Sequence, residues 1–555
     1  MNFDLSHVPF SRRGSRYSIR RLPEEGGTPA GLFLCYIPRG RVFYLEVLKD
    51  GQPVEYTAEA TPQALTIRGA GGVIDIVFET DERLRVRAEG LTLKLGAGGG
   101  IFNYALSRGA GRWQLNMFNA NASFLLTRLR GEVAVDAPWR ITRAEYLDAR
   151  IDGEAALEYF TTTLPKAESA GAFDDVLARA PQGFAAFLTG LPRVPEEFEA
   201  ARELAGYVLW SAIVKAQGNL GRETVLMSKN HMTQVWSWDH CFNAMALAAG
   251  HPRLAWDQLM VTFDRQDAHG CLPDSMSQDG IVWNFVKPPV HGWALAKMLE
   301  TNPRLADHLD DIYHRLARWT DWWLAERDDD GDGLPQYNHG NDSGWDNATC
   351  FDVPPPVEGP DLAAFLITQM EALASAAEIL GHREQVGVWT ERADRLCDAL
   401  LQHSWDGAAF RARQSGTHAA APGGDSLVPF MPLLLGERLP AVVRQKLIAG
   451  VAEPGRFLTE WGPATESPRS PLYEPDGYWR GPIWAPSTHL LYDGLLRCGE
   501  DELARDIARR FCRLCAKSGM AENFDALTGA PLRDKAYTWT ASVFLLLAHE
   551  LWKSS

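Results

Sequence analysis

Asp346 and Glu522 are the two carboxyls in this sequence set most clearly for proton chemistry. Asp346 lies in Asn338-His339-Gly340-Asn341-Asp342-Ser343-Gly344-Trp345-Asp346-Asn347, where seven polar side chains, two glycines and a tryptophan stand between two helical patterns. Small residues let such a loop bend, Trp345 offers an aromatic platform, and desolvation beside it favours the acid form of Asp346. Asn338 opens the same loop. The competing reading is a surface turn whose carboxylate accepts backbone N–H bonds. Glu522, in Met520-Ala521-Glu522-Asn523-Phe524-Asp525, is either a turn residue or the partner of Asp346. Glycoside hydrolysis needs one carboxylic acid to protonate the leaving oxygen and one carboxylate on the opposite face of the ring, which is the reason to pair them.

Three further stretches supply aromatic and polar groups. Trp236-Ser237-Trp238-Asp239-His240-Cys241-Phe242 leads into a helix. Asp239 is either a capping carboxylate or an acceptor for two sugar hydroxyls, with Trp238 stacking on the ring and Trp236 and Phe242 beside it. Trp283-Asn284 could line the same pocket. Glu466 precedes Tyr478-Trp479-Arg480-Gly481-Pro482-Ile483-Trp484, in which Pro482 reads as the first turn of a helix, Trp479 and Arg480 stand before it and Trp484 points inward. Arg480 either clamps the substrate or a catalytic carboxylate, or pairs with Asp476 or Glu474. Trp539 follows Glu522 in Tyr537-Thr538-Trp539-Thr540.

Asp328-Asp329-Asp330-Gly331-Asp332-Gly333 resembles the first half of a calcium loop, with Asp328, Asp330 and Asp332 at every second residue. An EF-hand needs a bidentate acid at its twelfth position, which here is His339, so a structural calcium or a plain Asp/Gly turn remains.

The elements that must hold these residues fall into two regions. From Gly31 to Pro165 short runs of Val, Ile, Leu, Phe, Tyr and Thr alternate with turn residues, including Leu32–Ile37, Val42–Leu48 and Ile74–Phe78, with Asp50-Gly51 as a hairpin turn. This predicts an N-terminal β-sandwich over 1–165, followed by a connecting segment over 166–194 with a helical part. From 195 to 555 the period is helical, with twelve helices. Several, such as the one opening at Asp361, are apolar around most of their circumference, which fits helices buried between two layers. Twelve helices joined by long aromatic loops suggest an (α/α)6 toroid, in which residues far apart in sequence face each other across a central funnel.

Composition narrows the partners. A chain of 555 residues with 46% hydrophobic and 23% charged residues is globular and of more than one domain. A net charge of −16 argues against a nucleic-acid surface. The 19 tryptophans, many in polar Gly/Pro-rich loops, fit a small carbohydrate as ligand, because indole faces stack on the C–H faces of sugars. Eight scattered cysteines point to reduced thiols, and Cys512 and Cys515, without a second pair, do not make a metal site. Met1 to Arg13 has no apolar run of signal-peptide length and no stretch reads as a membrane span, so a cytoplasmic protein is expected. The sequence does not indicate an oligomeric state.

With Ser343-Gly344-Trp345-Asp346-Asn347, Tyr478-Trp479-Arg480-Gly481-Pro482-Ile483-Trp484, Glu522-Asn523-Phe524 and Trp236-Ser237-Trp238-Asp239 assembled, the chain resembles glycoside hydrolase family 63 from about residue 195 to 551. That family includes processing α-glucosidase I, bacterial α-glucosidases, and hydrolases of mannosylglycerate and glucosylglycerate. The resemblance implies an (α/α)6 barrel, inversion at the anomeric carbon, no required cofactor, Asp346 as general acid and Glu522 as general base. It departs at Glu522-Asn523-Phe524-Asp525-Ala526, where the family has Glu-Asn-Tyr-Asn-Pro. The expected activity is release of glucose by an exo-acting enzyme from a short α-glucoside or glucosyl conjugate, with a glycerate-conjugate hydrolase as alternative. An inverting disaccharide phosphorylase shares the architecture but needs a cationic phosphate pocket where an acid at Glu522 would repel phosphate. A non-catalytic sugar-binding protein would not require both acids. An isomerase would favour paired histidines, which the motifs lack.

Overall fold

The computed structural model describes residues 1–25, 29–166 and 171–554. The chain forms two compact units: Met1–Thr189 with Tyr207–Lys215 and Ser228–Thr233, and Gly190–Gly206 with Ala216–Met227 and Gln234–Ser555.

In the first unit, thirteen strands between Tyr17 and Phe160 join into one antiparallel sheet. Its spine is a pair of 15-residue strands, Ala122–Asp136 and Tyr146–Phe160. On its other edge Tyr146–Phe160 pairs first with Thr92–Gly98 and then with Arg83–Glu89. One strand thus carries two lobes, and the sheet curls into a sandwich-like form. Alternating side chains of both lobes, among them Leu34, Phe43, Leu65, Ile76, Phe124 and Ile151, share one buried core. The hairpin expected at Asp50-Gly51 forms between Gly40–Lys49 and Gln52–Pro53, with Asp50 and Gly51 at φ 50° and 79°, the left-handed pair that a two-residue turn demands.

The segment expected as a connector, 166–194, carries a 17-residue helix, α1 (Phe173–Thr189), that belongs to the first unit; its residues 167–170 lie outside the described residues. Phe173 and Val176 pack on Val77 of the sheet, and Arg87 lies 4.3 Å over the Phe173 ring, so an amphipathic face places this helix with the sheet.

The remaining helices are α2 (Glu199–Ala212), α3 (Asp239–Leu247), α4 (Pro252–Phe263), α5 (His291–Thr301), α6 (Leu309–Glu326), α7 (Pro360–Leu380), α8 (Arg383–Ala399), α9 (Ala441–Ala452), α10 (Ala485–Arg497), α11 (Asp501–Ser518) and α12 (Thr538–Lys553). The twelfth expected position, Leu427–Leu435, is a 3-10 segment, Val428–Arg438. Pro429 and Pro432 remove N–H donors there and Gly436 kinks the backbone, which prevents a regular α-helix. In the second unit α3, α5, α7, the 3-10 segment, α10 and α12 touch in that order, and α12 returns to α3. Outside this closed ring, α4 packs on α3, α6 and α8 on α7, α9 on the 3-10 segment, and α11 on α10 and α12. This is an (α/α)6 barrel.

Burial explains the composition of α7. By length and composition it is apolar enough to cross a membrane, with a mean hydropathy of 1.3, contrary to the expectation that no stretch would be. It is an inner-ring helix whose surface is covered by α5, α6, α8 and the 3-10 segment. The eight cysteines are free, and burial raises the Cys512 and Cys515 thiols well above their usual range.

Candidate active site

Each chemistry-bearing stretch lies just ahead of an inner-ring helix: Asp239 begins α3, Lys287 precedes α5, Asp346 precedes α7, Trp484 precedes α10 and Glu522 precedes α12. Ring closure therefore gathers them. Two small three-stranded sheets fix their order. Val235–Trp236 pairs with Ser275–Met276, which pairs with Ile281–Val282, bringing the Trp238-Asp239 stretch beside Asp274 and Trp283. Ile483–Trp484 pairs with Asn523–Phe524, which pairs with Pro531–Leu532, so Trp484 stands opposite Asn523, the residue after Glu522. This pairing also moves the start of α10 to Ala485, with Pro486 instead of Pro482 in its first turn.

The Asp346 loop is held from both sides. Buried Asp342 accepts from the N–H of Val286 at 3.1 Å and, through its other oxygen, from Asn338 N at 3.0 Å and Arg327 at 3.2 Å. Asn347 donates to Gly477 O at 3.0 Å and accepts from Trp479 N at 3.0 Å. Arg480 donates to the Asn347 carbonyl at 2.9 Å and pairs with Asp352, so neither Asp476 nor Glu474 is its partner. Gly344, at φ 73°, leaves room for Trp238: a Cβ there would lie 2.5 Å from the indole.

Burial governs the electrostatics. Lys287, itself buried, places Nζ 3.1 Å from Asp274 Oδ1 and 4.0 Å from Asp346 Oδ1, and donates to Asn341 O at 2.6 Å and Oδ1 at 2.9 Å. Desolvation raises the Asp346 carboxyl above the usual range, opposed by Lys287. Asp239 is buried and raised further for the same cause, again with Lys287 opposing and Asp274 and Asp346 adding. Glu522, 6% exposed, is pushed up to about 7 by desolvation, then by Asp534 and Asp346. Its backbone is fixed by Glu522 N donating to Asp534 O at 2.7 Å and by Trp539 Nε1 donating to its carbonyl at 3.3 Å.

The tryptophans form the wall behind these groups. Trp479 and Trp484 stack on each other, centroids 4.1 Å apart and planes 5° from parallel. Trp345 lies 5.0 Å from Trp479, while Trp238 and Trp484 meet Trp539 edge-on at 5.7 and 5.5 Å. All five are buried, as is Phe242, which meets Trp238 edge-on. Trp236 is half-buried, and Trp283 and Asn338 are exposed. Glu466 is buried with both oxygens taken, one by Thr349 at 2.6 Å and the other by Asp425 N at 2.7 Å, so it ties loops together.

Residues 232–540, more than half of the chain, match the family described as mannosylglycerate hydrolase MGH1-like glycoside hydrolase domain. The chain belongs to this family. It is a glycoside hydrolase of family 63. The mannosylglycerate hydrolase of Rubrobacter radiotolerans is 24% identical over 401 residues, 56% of this chain and 89% of its own. The structure of the GH63 mannosylglycerate hydrolase of Thermus thermophilus in complex with glucose superposes with a TM-score of 0.54 at 21% identity, over 61% of this chain and 98% of that one. A bacterial glucoamylase complexed with acarbose superposes with a TM-score of 0.64 at 13% identity, over 99% of this chain and 95% of that one, so the two-part architecture also has a solved counterpart.

The hydrolase fold brings in residues that sequence reading passed over. Lys287 and Asp274 are the buried ion pair beside Asp346; the signal was a lysine in Phe285-Val286-Lys287-Pro288-Pro289, just before a helix. Tyr478, at φ 65°, has its hydroxyl raised far above the usual range by burial and then by the charges of Asp346, Glu522 and Asp239. Arg533 lies 4.9 Å over the Tyr478 ring and pairs with Asp476 at 2.9 Å.

The Asp/Gly turn of the hydrolase divides in two. Asp328 accepts from Gly331 N and Gly333 N at 3.0 and 3.1 Å and so closes its own turn. Asp330 and Asp332 instead meet Glu358 and His418, and these four side chains bring oxygen or nitrogen atoms within 4.8 Å of one another.

Proposed function

We propose that the enzyme is an inverting, exo-acting α-glycosidase of small substrates, a short α-glucoside or glucosyl conjugate, with Asp346 as general acid and Glu522 as general base. Asp346 protonates the glycosidic oxygen as the bond to the anomeric carbon breaks. Glu522 takes a proton from the water that attacks the opposite face. The observation that carries this reading is the pair itself: two carboxyls from separate loops, both with proton affinity raised by burial, one sensing the charge of the other. A pKa near the working pH suits a group that must exchange a proton in each turnover. Trp238, Trp345, Trp479, Trp484 and Trp539 hold the loops and exclude water from them, which strengthens every charge interaction inside.

A second reading, hydrolysis of mannosylglycerate or glucosylglycerate, is favoured by Arg533. A guanidinium set over Tyr478, whose charge also acts on the Glu522 carboxyl, suits an acidic leaving group. The activity named for the Rubrobacter radiotolerans relative supports the same substrate class.

A panel of α-linked disaccharides and of both glycerate conjugates, assayed for free sugar with and without phosphate, tests the two readings together. Hydrolysis without phosphate is expected. Turnover that requires phosphate, or binding of every sugar with turnover of none, overturns the assignment. Preference for the glycerate conjugates that is lost in Arg533→Leu selects the second reading over the first.

A further inference from the structure

We propose that the first unit carries a second binding site, for a short neutral oligosaccharide, that is independent of the roles given to Asp346 and Glu522. The site is a cavity of about 550 Å³ on the face of the sheet turned away from its core, within the roughly 300–1,000 Å³ of small-ligand sites. The residues lining it all belong to the first unit. Neighbouring strands build its floor. Thr92–Gly98 lies between Gly40–Lys49 and Tyr146–Phe160, and the register puts Tyr44, Gly96 and Asp148 in one row, Glu46 and Lys94 in the next, and Gly98 beside Tyr146. Leu45, Leu95 and Leu147, one residue along each strand, belong to the core on the other face.

Gly96 and Gly98 leave a gap in this floor that neither backbone nor packing demands. Neither has the left-handed φ that favours glycine. A Cβ at Gly98 would meet nothing within 4 Å, and one at Gly96 nothing closer than 3.5 Å. A glycine in a strand gives up side-chain packing, and one that no neighbour requires marks a place where a ligand approaches the backbone. Asp148 faces the gap: its Oδ2 stands 3.3 Å from Lys94 Nζ, while Oδ1 lies 3.5 Å from the Cβ position of Gly96. Glu46 holds the same ammonium from the opposite strand at 2.9 Å.

The chemistry around the gap is that of sugar recognition. Tyr44 and Tyr146 flank it on either side, and Phe33 lies 5.2 Å from the Tyr44 ring, so aromatic faces stand beside charged groups that exchange hydrogen bonds with hydroxyls. Lys94 is neutralised between two carboxylates, which disfavours an anion. The rim repeats the pattern. Phe102 and Phe118, next in sequence to Asn103 and Asn119 of the lining, meet edge-on at 5.0 Å and are 43% and 50% exposed. Trp139, 64% exposed, lies on a hairpin that Ala144 N ties to Asn103 O at 2.9 Å or less, at 2.7 Å. Rings left in water beside a polar cavity mark a binding surface. A wholly apolar occupant would strip water from Glu46, Lys94 and Asp148 with nothing in return, whereas a sugar offers C–H faces to the rings and hydroxyls to the charges.

The test titrates the full chain carrying Glu522→Gln, so that sugar is not consumed, with maltotriose, isomaltotriose and mannotriose in a calorimeter. A saturable site for at least one of them is expected, distinct from any binding at Asp346, and Tyr44→Ala and Gly96→Val should each weaken it by about tenfold or more. Gly96→Val fills the gap with a residue that suits a strand, so its melting temperature should match or exceed the parent's while the site is lost. That variant carries the test if Tyr44→Ala fails to fold. Absence of saturable binding, or isotherms unchanged in the folded Gly96→Val chain, overturns the proposal. So does self-association in sedimentation that Phe118→Ser abolishes with no sugar bound, which would give the rim to a second copy of the chain.

Discussion

The ammonium of Lys287 stands 4.0 Å from Asp346 Oδ1 and 3.1 Å from Asp274 Oδ1, so one buried cation serves two acidic groups. Its effect on Asp346 opposes that of burial: desolvation raises the proton affinity of the acid and Lys287 restrains it. An acid that must lose its proton in the transition state and recover it afterwards is served by that balance.

Lys287→Met should therefore do two separable things. It leaves Asp274 buried without its cation, which should cost about 3–5 kcal/mol of folding stability, read from chemical denaturation. It also removes the restraint on Asp346, so the acid keeps its proton to higher pH and the alkaline limb of kcat/KM should move up. A stability loss with an unmoved limb would make Lys287 a structural cation only.

Glu522 gives a stability prediction with a definite sign. Its pKa in the folded chain is about 7, above the ordinary glutamate value of 4.5. Between these values the folded state holds a proton that the unfolded chain has released, so stability falls as pH rises through that window and levels off above about pH 7. Glu522→Gln removes this titration. The variant should be nearly as stable as the parent at pH 4.5 and more stable at pH 8, by on the order of 2–3 kcal/mol. In the parent, activity should rise over the same window as the base ionises. Parallel stability curves for the two proteins would place the titration on another group.

Much of this was legible in the sequence, for identifiable reasons. Period-2 runs marked the strands of the first unit, and the all-round apolar character of 361–380 marked an inner helix, because one buried face or two leaves a direct trace in residue order. The pairing of Lys287 with Asp346 left no such trace: it depends on Asp342 joining Val286 to Asn338. The aromatic residues show the same limit. Tryptophan in a polar loop reads as a sugar platform, yet Trp479 and Trp484 use facing surfaces on each other. Sequence shows which side chains are present in a loop; only tertiary packing decides which ring faces stay free. Glu358 and His418 escaped notice for the same reason, being brought to Asp330 by strand pairing.

That stacking makes Trp479→Ala a test of role. Removing a buried indole should cost about 3–5 kcal/mol of stability and loosen Trp484 and Trp345 together. Trp238→Ala and Trp484→Ala should in addition weaken sugar affinity by about 1 kcal/mol or more if an edge or face of either ring reaches the substrate. Inhibitor affinity that is unchanged while stability falls would make these rings walls of the site and not contacts.

The last prediction joins the catalytic pair to product stereochemistry. Asp346→Asn and Glu522→Gln are nearly isosteric, and each should lower turnover by several orders of magnitude while the chain still folds. The Asp346 change should be milder on substrates with very good leaving groups, which need little protonation; an equal loss on all substrates would remove the acid role. If Glu522 activates water, room for that water requires its carboxyl to stand roughly 6.5–9.5 Å from that of Asp346, wider than the roughly 5–5.5 Å of a pair that forms a covalent intermediate. Water then enters from the face opposite the leaving group. Sugar freed from an α-glycoside must appear first as its β anomer, and proton NMR on a fresh reaction resolves it before mutarotation mixes the two. First appearance of the α anomer would assign Glu522 to nucleophilic attack or to no chemical step at all, even with both substitutions inactive.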